Sequence, residues 1–386
     1  MLNLKLTASL LAVVAIAATS AHAQEKPAPK PAPDVIVFTN GGQLSGTLER
    51  GVGNSIVFKS DMAGEITVSL DKVKELRASG NFALLRNNVP LTKTPVHPGT
   101  VGYADGNVTV SAPEQPAETV PVKEVGYLID EKTYEQQLGQ HAGFFTDWNG
   151  TINGGATLVR SSTNINTYTA GVALIRSIPT VPYLPPRNRT TFDLQETYGK
   201  QTQVFPTPEI VTKTNIFHAD GERDQYFSPK FYALVETSFD HNYSQGLSLQ
   251  AVYGGGIGWT AVKSAKQQLD LKVDLHYETQ QYQTNSEIII DPALQPTTQK
   301  LIGSTFSEVY HRNLPHGIVF TELANVLPAW NDENDYSANG SIGLVMPVFK
   351  RFSLNFTTTD NFLNDPAPGY QKNSYQFVTG VTYKLR

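Results

Sequence analysis

Gln268-Leu269-Asp270-Leu271-Lys272-Val273-Asp274-Leu275-His276-Tyr277-Glu278 alternates without a break. Leu269, Leu271, Val273, Leu275 and Tyr277 share one parity, while Gln268, Asp270, Lys272, Asp274, His276 and Glu278 share the other. Successive side chains of a strand point to opposite faces, so this stretch has one greasy side and one charged side. Such a strand meets hydrocarbon or an apolar core with the first and water with the second.

The same division recurs on both sides of this stretch. Phe192, Leu194 and Tyr198 alternate with Asp193, Gln195 and Thr197, and Phe352, Leu354 and Phe356 with Ser353, Asn355 and Thr357. The last strand sets Tyr375, Phe377, Val381, Tyr383 and Leu385 against Ser374, Gln376, Thr382 and Lys384. Segments of this kind are expected near 148–160, 166–176, 190–203, 210–224, 226–242, 246–262, 267–282, 304–313, 317–327, 335–348, 351–362 and 373–385. That makes about twelve, an even number, many of them long enough to cross a bilayer when tilted. Tyr243–Gly246 and Lys350–Arg351 read as tight turns, and Ser177–Asn188 and Asn285–Gly303 as long loops. An alternation of short periplasmic turns with long external loops is expected from that contrast. Residues 143–386 therefore read as an antiparallel transmembrane β-barrel of a Gram-negative outer membrane.

The start of the chain agrees. Lys5 precedes an apolar run, Leu6–Ala18, and Ala21-His22-Ala23 has the small-x-small pattern of a cleavage site. The run is too short for a spanning helix, so residues 1–23 are expected to be a signal peptide. Alternating prolines make 24–33 a linker. No long apolar stretch follows, so insertion must use strands closed on themselves. There is no cysteine, which excludes disulfides and thiol chemistry. Lys+Arg 30 against Asp+Glu 35 lacks the basic footprint of a nucleic-acid binder.

Residues 34–129 read as a tandem pair of small, strongly bent β-modules. Gly46-Thr47-Leu48, Asn54-Ser55-Ile56-Val57-Phe58, Ile66-Thr67-Val68 and Val73-Lys74-Glu75-Leu76 are followed in the same order by Gly99-Thr100-Val101, Gly106-Asn107-Val108-Thr109-Val110 and Val120–Leu128. Their expected place is the periplasm, as a spacer or as a docking unit for an envelope partner. Residues 130–142 form a polar linker with room for one or two helical turns.

Asp147-Trp148-Asn149-Gly150-Thr151-Ile152-Asn153-Gly154-Gly155-Ala156 and the continuation to Thr167 resemble the opening of the YdiY-like, salt-induced outer-membrane protein family. A Trp-x-Gly strand, a Gly-rich stretch and a Ser/Asn turn carry the likeness, which extends loosely over 143–386. The resemblance implies an outer-membrane location and supplies no catalytic residues.

Chemistry is sparse. His218, His241, His276 and His311 lie on strands near Ser228, Ser238, Asp240, Asp270 and Asp274, with no Gly-x-Ser-x-Gly elbow. Asp220–Asp224 and Asn331–Asp335 are oxygen-rich stretches with the supply for calcium, and equally ordinary turn chemistry. Gly254-Gly255-Gly256-x-Gly258 lacks the Lys-Ser/Thr and helix of a phosphate loop, and reads as a close approach of a neighbouring strand or large aromatic. No catalytic residue, cofactor or metal is therefore expected. Asp270, Lys272, Asp274, His276 and Glu278 are expected to line the lumen, either biasing ion passage or locking a narrow barrel with salt bridges. The expected partners are outer-membrane lipid, the barrel-assembly machinery through the C-terminal strand, and a periplasmic partner of 34–129; nucleic acid is not expected. The sequence points to a non-enzymatic barrel serving envelope integrity or limited passage of small solutes. A membrane-anchored binding module and a barrel enzyme are the alternatives.

Overall fold

The computed structural model describes residues 33–87, 96–139, 143–159, 163–203, 210–264, 266–283, 298–367 and 370–385. The signal peptide expected at 1–23 and nearly all of the linker 24–33 lie outside the described residues.

The first domain is a nine-stranded sheet. It contains β1 (Asp34–Phe38), β2 (Gln43–Val52), β3 (Ser55–Ser60), β4 (Gly64–Ser69), β5 (Val73–Arg86), β6 (Gly99–Ala104), β7 (Asn107–Ser111), β8 (Glu118–Pro121) and β9 (Val125–Asp130). The succession β2-β3-β4, a 3-10 turn at Leu70–Lys72, then β5, recurs as β6-β7-β8, a 3-10 turn at Val122–Glu124, then β9. The copies are not separate bodies. Strand β9 pairs with both β2 and β5, and one hydrophobic core runs from Ile36, Leu48 and Phe58 to Val101, Val110 and Leu128. Buried Asp34 ties the first strand in by accepting from the Leu48 N–H at 2.7 Å and the Ser79 N–H at 2.7 Å. A short helix, α1 (Glu131–Tyr134), is capped by Asp130, whose carboxylate accepts from the Thr133 N–H at 2.9 Å.

The second domain is the barrel: β10 (Asn149–Val159), β11 (Thr163–Ile178), β12 (Asn188–Gln203), β13 (Ile210–Tyr226), β14 (Phe231–Asn242), β15 (Leu247–Lys263), β16 (Gln267–Tyr282), β17 (Thr298–Gly303), β18 (Phe306–Asn313), β19 (Val319–Pro328), β20 (Tyr336–Phe349), β21 (Phe352–Leu363) and β22 (Asn373–Lys384). Strands β17 and β18 both pair with β16, one beyond the other, so these thirteen pieces make twelve staves. Strand β10 pairs antiparallel with β22, Ile152 opposite Tyr383, and the ring is closed. Every neighbouring pair is antiparallel, so the backbone donors and acceptors that lipid could not satisfy are paired within the wall. The stave expected at 304–313 starts earlier than its alternation suggested, because β17 precedes a break at Ser304–Thr305.

The outward parity carries the exposed hydrophobics, among them Ile152, Leu158, Val235, Ile257, Leu275, Phe306, Ile342 and Val381. Aromatic side chains gather toward both rims. Phe227, Phe231 and Trp259 stack in series near one end, and Tyr253, Tyr277 and Tyr375 stand toward the other. Aromatic girdles flanking an apolar band mark a barrel built for lipid. No described helix is long and apolar enough to cross a membrane.

The rim holding the start of β10 and the end of β22 is termed the terminal rim, and the opposite one the far rim. The expected division of connections needs correction. Lys350–Arg351 does lie at the terminal rim, but so does the long segment 179–187, and the tight turn 243–246 lies at the far rim. The reason is packing. Leu184, in 179–187, is buried against Ala83, Leu85 and Ile129 of the first domain. The Arg50 guanidinium sits 5.2 Å over the Tyr183 ring, and the Gln137 side-chain carbonyl accepts from the Thr180 N–H at 2.6 Å. A short turn there could not reach the first domain.

Gly254, Gly256 and Gly258 of the glycine run on β15 face inward and make room. A Cβ at Gly258 would stand 2.1 Å from Cζ of Tyr232, which is fully buried. Gly258→Ala is expected to destabilise the barrel by about 1–3 kcal/mol through overpacking. Urea unfolding of the refolded protein measures it, and trimming the ring with Tyr232→Ala in the same chain should offset the clash.

Candidate functional site

The inward parity of β12 to β16 forms a charged wall, held in cross-strand bridges. Nearest the terminal rim, Arg189 on β12 donates to Asp224 on β13 at 2.6 Å and to Asp270 on β16 at 2.7 Å. Its guanidinium also lies 5.2 Å from the Tyr232 ring centroid and 5.9 Å from that of Tyr226. These contacts run along the interior wall past β14 and β15 and narrow that end.

One layer up, Lys272 on β16 donates to Glu222 on β13 at 2.5 Å. Asp274 accepts from the Thr305 N–H at 2.5 Å and lies 3.1 Å from His276 Nδ1. Glu278 accepts from Gln250 at 2.5 Å and Gln280 at 2.6 Å, with His276 Nε2 3.6 Å away. Asp270, Lys272, Asp274, His276 and Glu278 thus all belong to this inner network, and all but Lys272 are almost wholly buried.

A cavity of about 540 Å³ remains between this wall and the opposite one. Its near side is lined by Asp193, Asp220, Asp240, Glu222, Glu236 and Asp274. Its far side, on β18 to β22, presents Ser307, Thr321, Asn325, Asn339, Ser341 and Thr359. One side is acidic and the other carries neutral hydroxyls and amides. His218 stands among the carboxylates, with Nδ1 2.6 Å from Asp240 and Nε2 3.2 Å from Asp220. Asp193, His218 and Asp220 have ligand atoms within 4.8 Å of one another, close enough for a divalent ion. Both His218 nitrogens are engaged by carboxylates, so a metal would have to displace one of them.

Among the described residues, the turn between β14 and β15 bridges part of the far rim. Gly246 holds a positive φ of 69°, which lets Tyr243–Gln245 fold in over the mouth. Gln245, only 2 % exposed, reaches across to β21 and to the residue just before β22, donating to the carbonyls of Asn361 at 3.0 Å and Lys372 at 2.6 Å. Ser244 Oγ meets Ser374 Oγ at 2.9 Å, and Gly246 packs against Ala367 and Tyr370. This turn latches one side of the mouth to the other.

Sequence reasoning placed the five lumen residues on one face and Asp193 on the polar parity of its own strand, but missed Arg189 and Gln245. For Arg189 the signal was present, since the alternation through Asp193, Gln195 and Thr197 puts it inward as well. Nothing local distinguishes Gln245. Asp220–Asp224, considered as a calcium-binding turn, is instead part of β13, with Asp220, Glu222 and Asp224 inward and Arg223 outward.

Among solved structures, the chain is similar to the NanC porin, at 8 % identity and a TM-score of 0.35 over 61 % of this chain and 100 % of that one. It is also similar to the β domain of the Bordetella autotransporter BrkA, at 8 % identity and 0.27 over 61 % and 97 %. The transport unit of the autotransporter AIDA-I from Escherichia coli gives 10 % and 0.29 over 65 % and 96 %. No curated protein matches the chain in sequence. The family model described as "Protein of unknown function, DUF481" matches residues 153–385, which span every stave from β11 to β22 and most of β10. The chain belongs to the DUF481 family.

Proposed function

We propose that this protein is a non-enzymatic outer-membrane barrel that passes small cationic solutes in a restricted way, through a chamber latched at its far rim. The observation that carries the reading is the chamber itself, about 540 Å³, acidic on one side and hydroxyl-lined on the other. Rings of carboxylate attract cations and repel anions at close quarters. Arg189 with its tyrosines narrows the terminal end and Gln245 holds the far end, so passage needs side chains to move. Within the family, the reading keeps the closer kinship with YdiY-like salt-induced proteins and a periplasmic first domain.

Planar-bilayer conductance tests the proposal. The wild-type protein should show rare, small, cation-preferring steps. Gln245 makes two hydrogen bonds across the mouth, together worth about 2 kcal/mol, so Gln245→Ala should raise the open fraction roughly thirtyfold. Silence from both proteins, or anion preference, would sink the idea. A second reading, the barrel as anchor for a docking domain, is favoured by the seating of the first domain on Leu184 and Tyr183.

A further inference from the structure

The outer wall near the terminal rim carries a second cavity, outside the lumen. Residues 143–148, which precede β10, fold back over the outward face of β11 to β14. Arg176 clips them there, its Nε donating to the Thr146 carbonyl at 2.8 Å and its Nη2 to the Gly143 carbonyl at 3.2 Å. Phe144, Phe145 and Trp148 form edge-on ring pairs at 5.3 and 5.8 Å. With Leu174, Phe192 and Val235 of the wall they enclose an apolar groove of about 740 Å³. Gly221 sits in its floor and adds no side chain.

Two features say what belongs in it. The groove opens on the lipid-facing side, and Phe145 is 91 % exposed, a large apolar ring that only an apolar occupant would cover. At its edge Arg223 faces outward in the same cross-strand row as Arg176, with Thr190 between them. Arg223 donates to Thr190 Oγ1 at 2.5 Å and makes no ion pair among the described residues. It lies three residues from the end of β13, within about 10 Å of the rim, at the depth of lipid headgroups. A guanidinium beside a hydrocarbon groove is complementary to a phosphate attached to an acyl chain.

We propose that this groove seats one anionic phospholipid of the terminal-rim leaflet, acyl chain against Phe192, Val235 and Phe145, phosphate on Arg223. The lipid would fasten residues 143–148, and through them the first domain, to the barrel wall. The proposal rests on the membrane-barrel fold and is independent of solute passage.

Native mass spectrometry of the full-length protein, released from mixed micelles, tests it. One phosphatidylglycerol should be retained in preference to phosphatidylcholine. Arg223→Gln should lower that retention roughly tenfold, the scale of a charged hydrogen bond. Arg223→Lys should keep the preference for phosphatidylglycerol, and Phe145→Ala should weaken both lipids alike. Equal retention of the two lipids by the wild type overturns the proposal. So does unchanged retention in Arg223→Gln, or displacement of the lipid by millimolar inorganic phosphate. Conductance of Arg223→Gln should match the wild type, which separates this result from the fate of the passage reading.

Discussion

Arg189→Ala is expected to cost about 3–5 kcal/mol of barrel stability, because it strands two buried carboxylates. Asp224 and Asp270 have side chains 1 % and 5 % exposed, and Arg189 is the cation both of them meet. Breaking one partner out of a buried ion cluster leaves the remaining charges desolvated and unpaired. Their mutual attraction to the guanidinium is lost while the cost of burying them stays. Urea unfolding of refolded protein, followed by the gel-mobility shift between folded and unfolded barrel, reads the change. The comparison that isolates the cause is Arg189→Met with Asp224→Asn and Asp270→Asn together. Removing all three charges should recover much of the loss, since an apolar or neutral replacement of a whole buried cluster is tolerated far better than its half. If the single and triple variants lose stability equally, the guanidinium acts through packing on Tyr226 and Tyr232, and the ion cluster is not what holds this end. The single variant should also widen the terminal end of the lumen, so larger conductance steps are expected with it than with Gln245→Ala.

Much of this architecture was legible because a lipid-facing strand is forced into a period of two. The stretch 267–282 matches its strand, Gln267–Tyr282, at both ends, and the unbroken alternation over Gln268–Glu278 inside it leaves no freedom in register. Closure of β10 on β22 followed from an even count of staves. The lumen network was legible only as a face. Alternation says that Asp270 and Lys272 point inward, but not that their partners are Arg189, 81 residues before Asp270, and Glu222, 50 residues before Lys272. Those partners are chosen by stagger around the barrel, which no local pattern encodes. The connections were the least legible part. Length alone put 243–246 among the short turns, yet its task is set by Gln245 reaching 116 residues onward to Asn361. The segment 179–187 is long because it must bury Leu184 against another domain. The internal repeat of 34–129 was visible as a succession of motifs, whereas the sharing of one core depends on where β9 pairs.

Raising the pH from 6 to 8 is expected to loosen the far rim, and Asp335→Asn to abolish that part of the response. Asp335 ends the connection from β19 to β20 and is 2 % exposed. Burial, followed by the nearby carboxylates of Glu278, Asp365 and Asp332, pushes its carboxyl from the ordinary 3.8 up to about 7, against the weaker opposing pull of the Gln280 amide. A carboxyl whose folded value lies above its unfolded one binds its proton more tightly in the folded state. Its contribution is therefore fully present below the unfolded value and is lost as pH rises through about 7. Above that point four carboxylates face one another where the connection 329–335 meets the segment after β21. That segment lies on the same side of the mouth that Gln245 grips: Tyr282 donates to the Asp365 carbonyl at 3.0 Å, and Lys372 receives the Gln245 amide. Charging Asp335 pushes against this cluster and so against the latch. The thermal midpoint of the wild type minus that of Asp335→Asn should fall between about pH 4 and 7 and level off above it, with the variant the more stable at pH 8. Conductance should follow the same course, with more open time at pH 8 than at pH 6 in the wild type and little difference in the variant. A wild-type-minus-variant difference that stays flat across that range would mean Asp335 is ionised throughout and the far rim has no proton-sensitive brace.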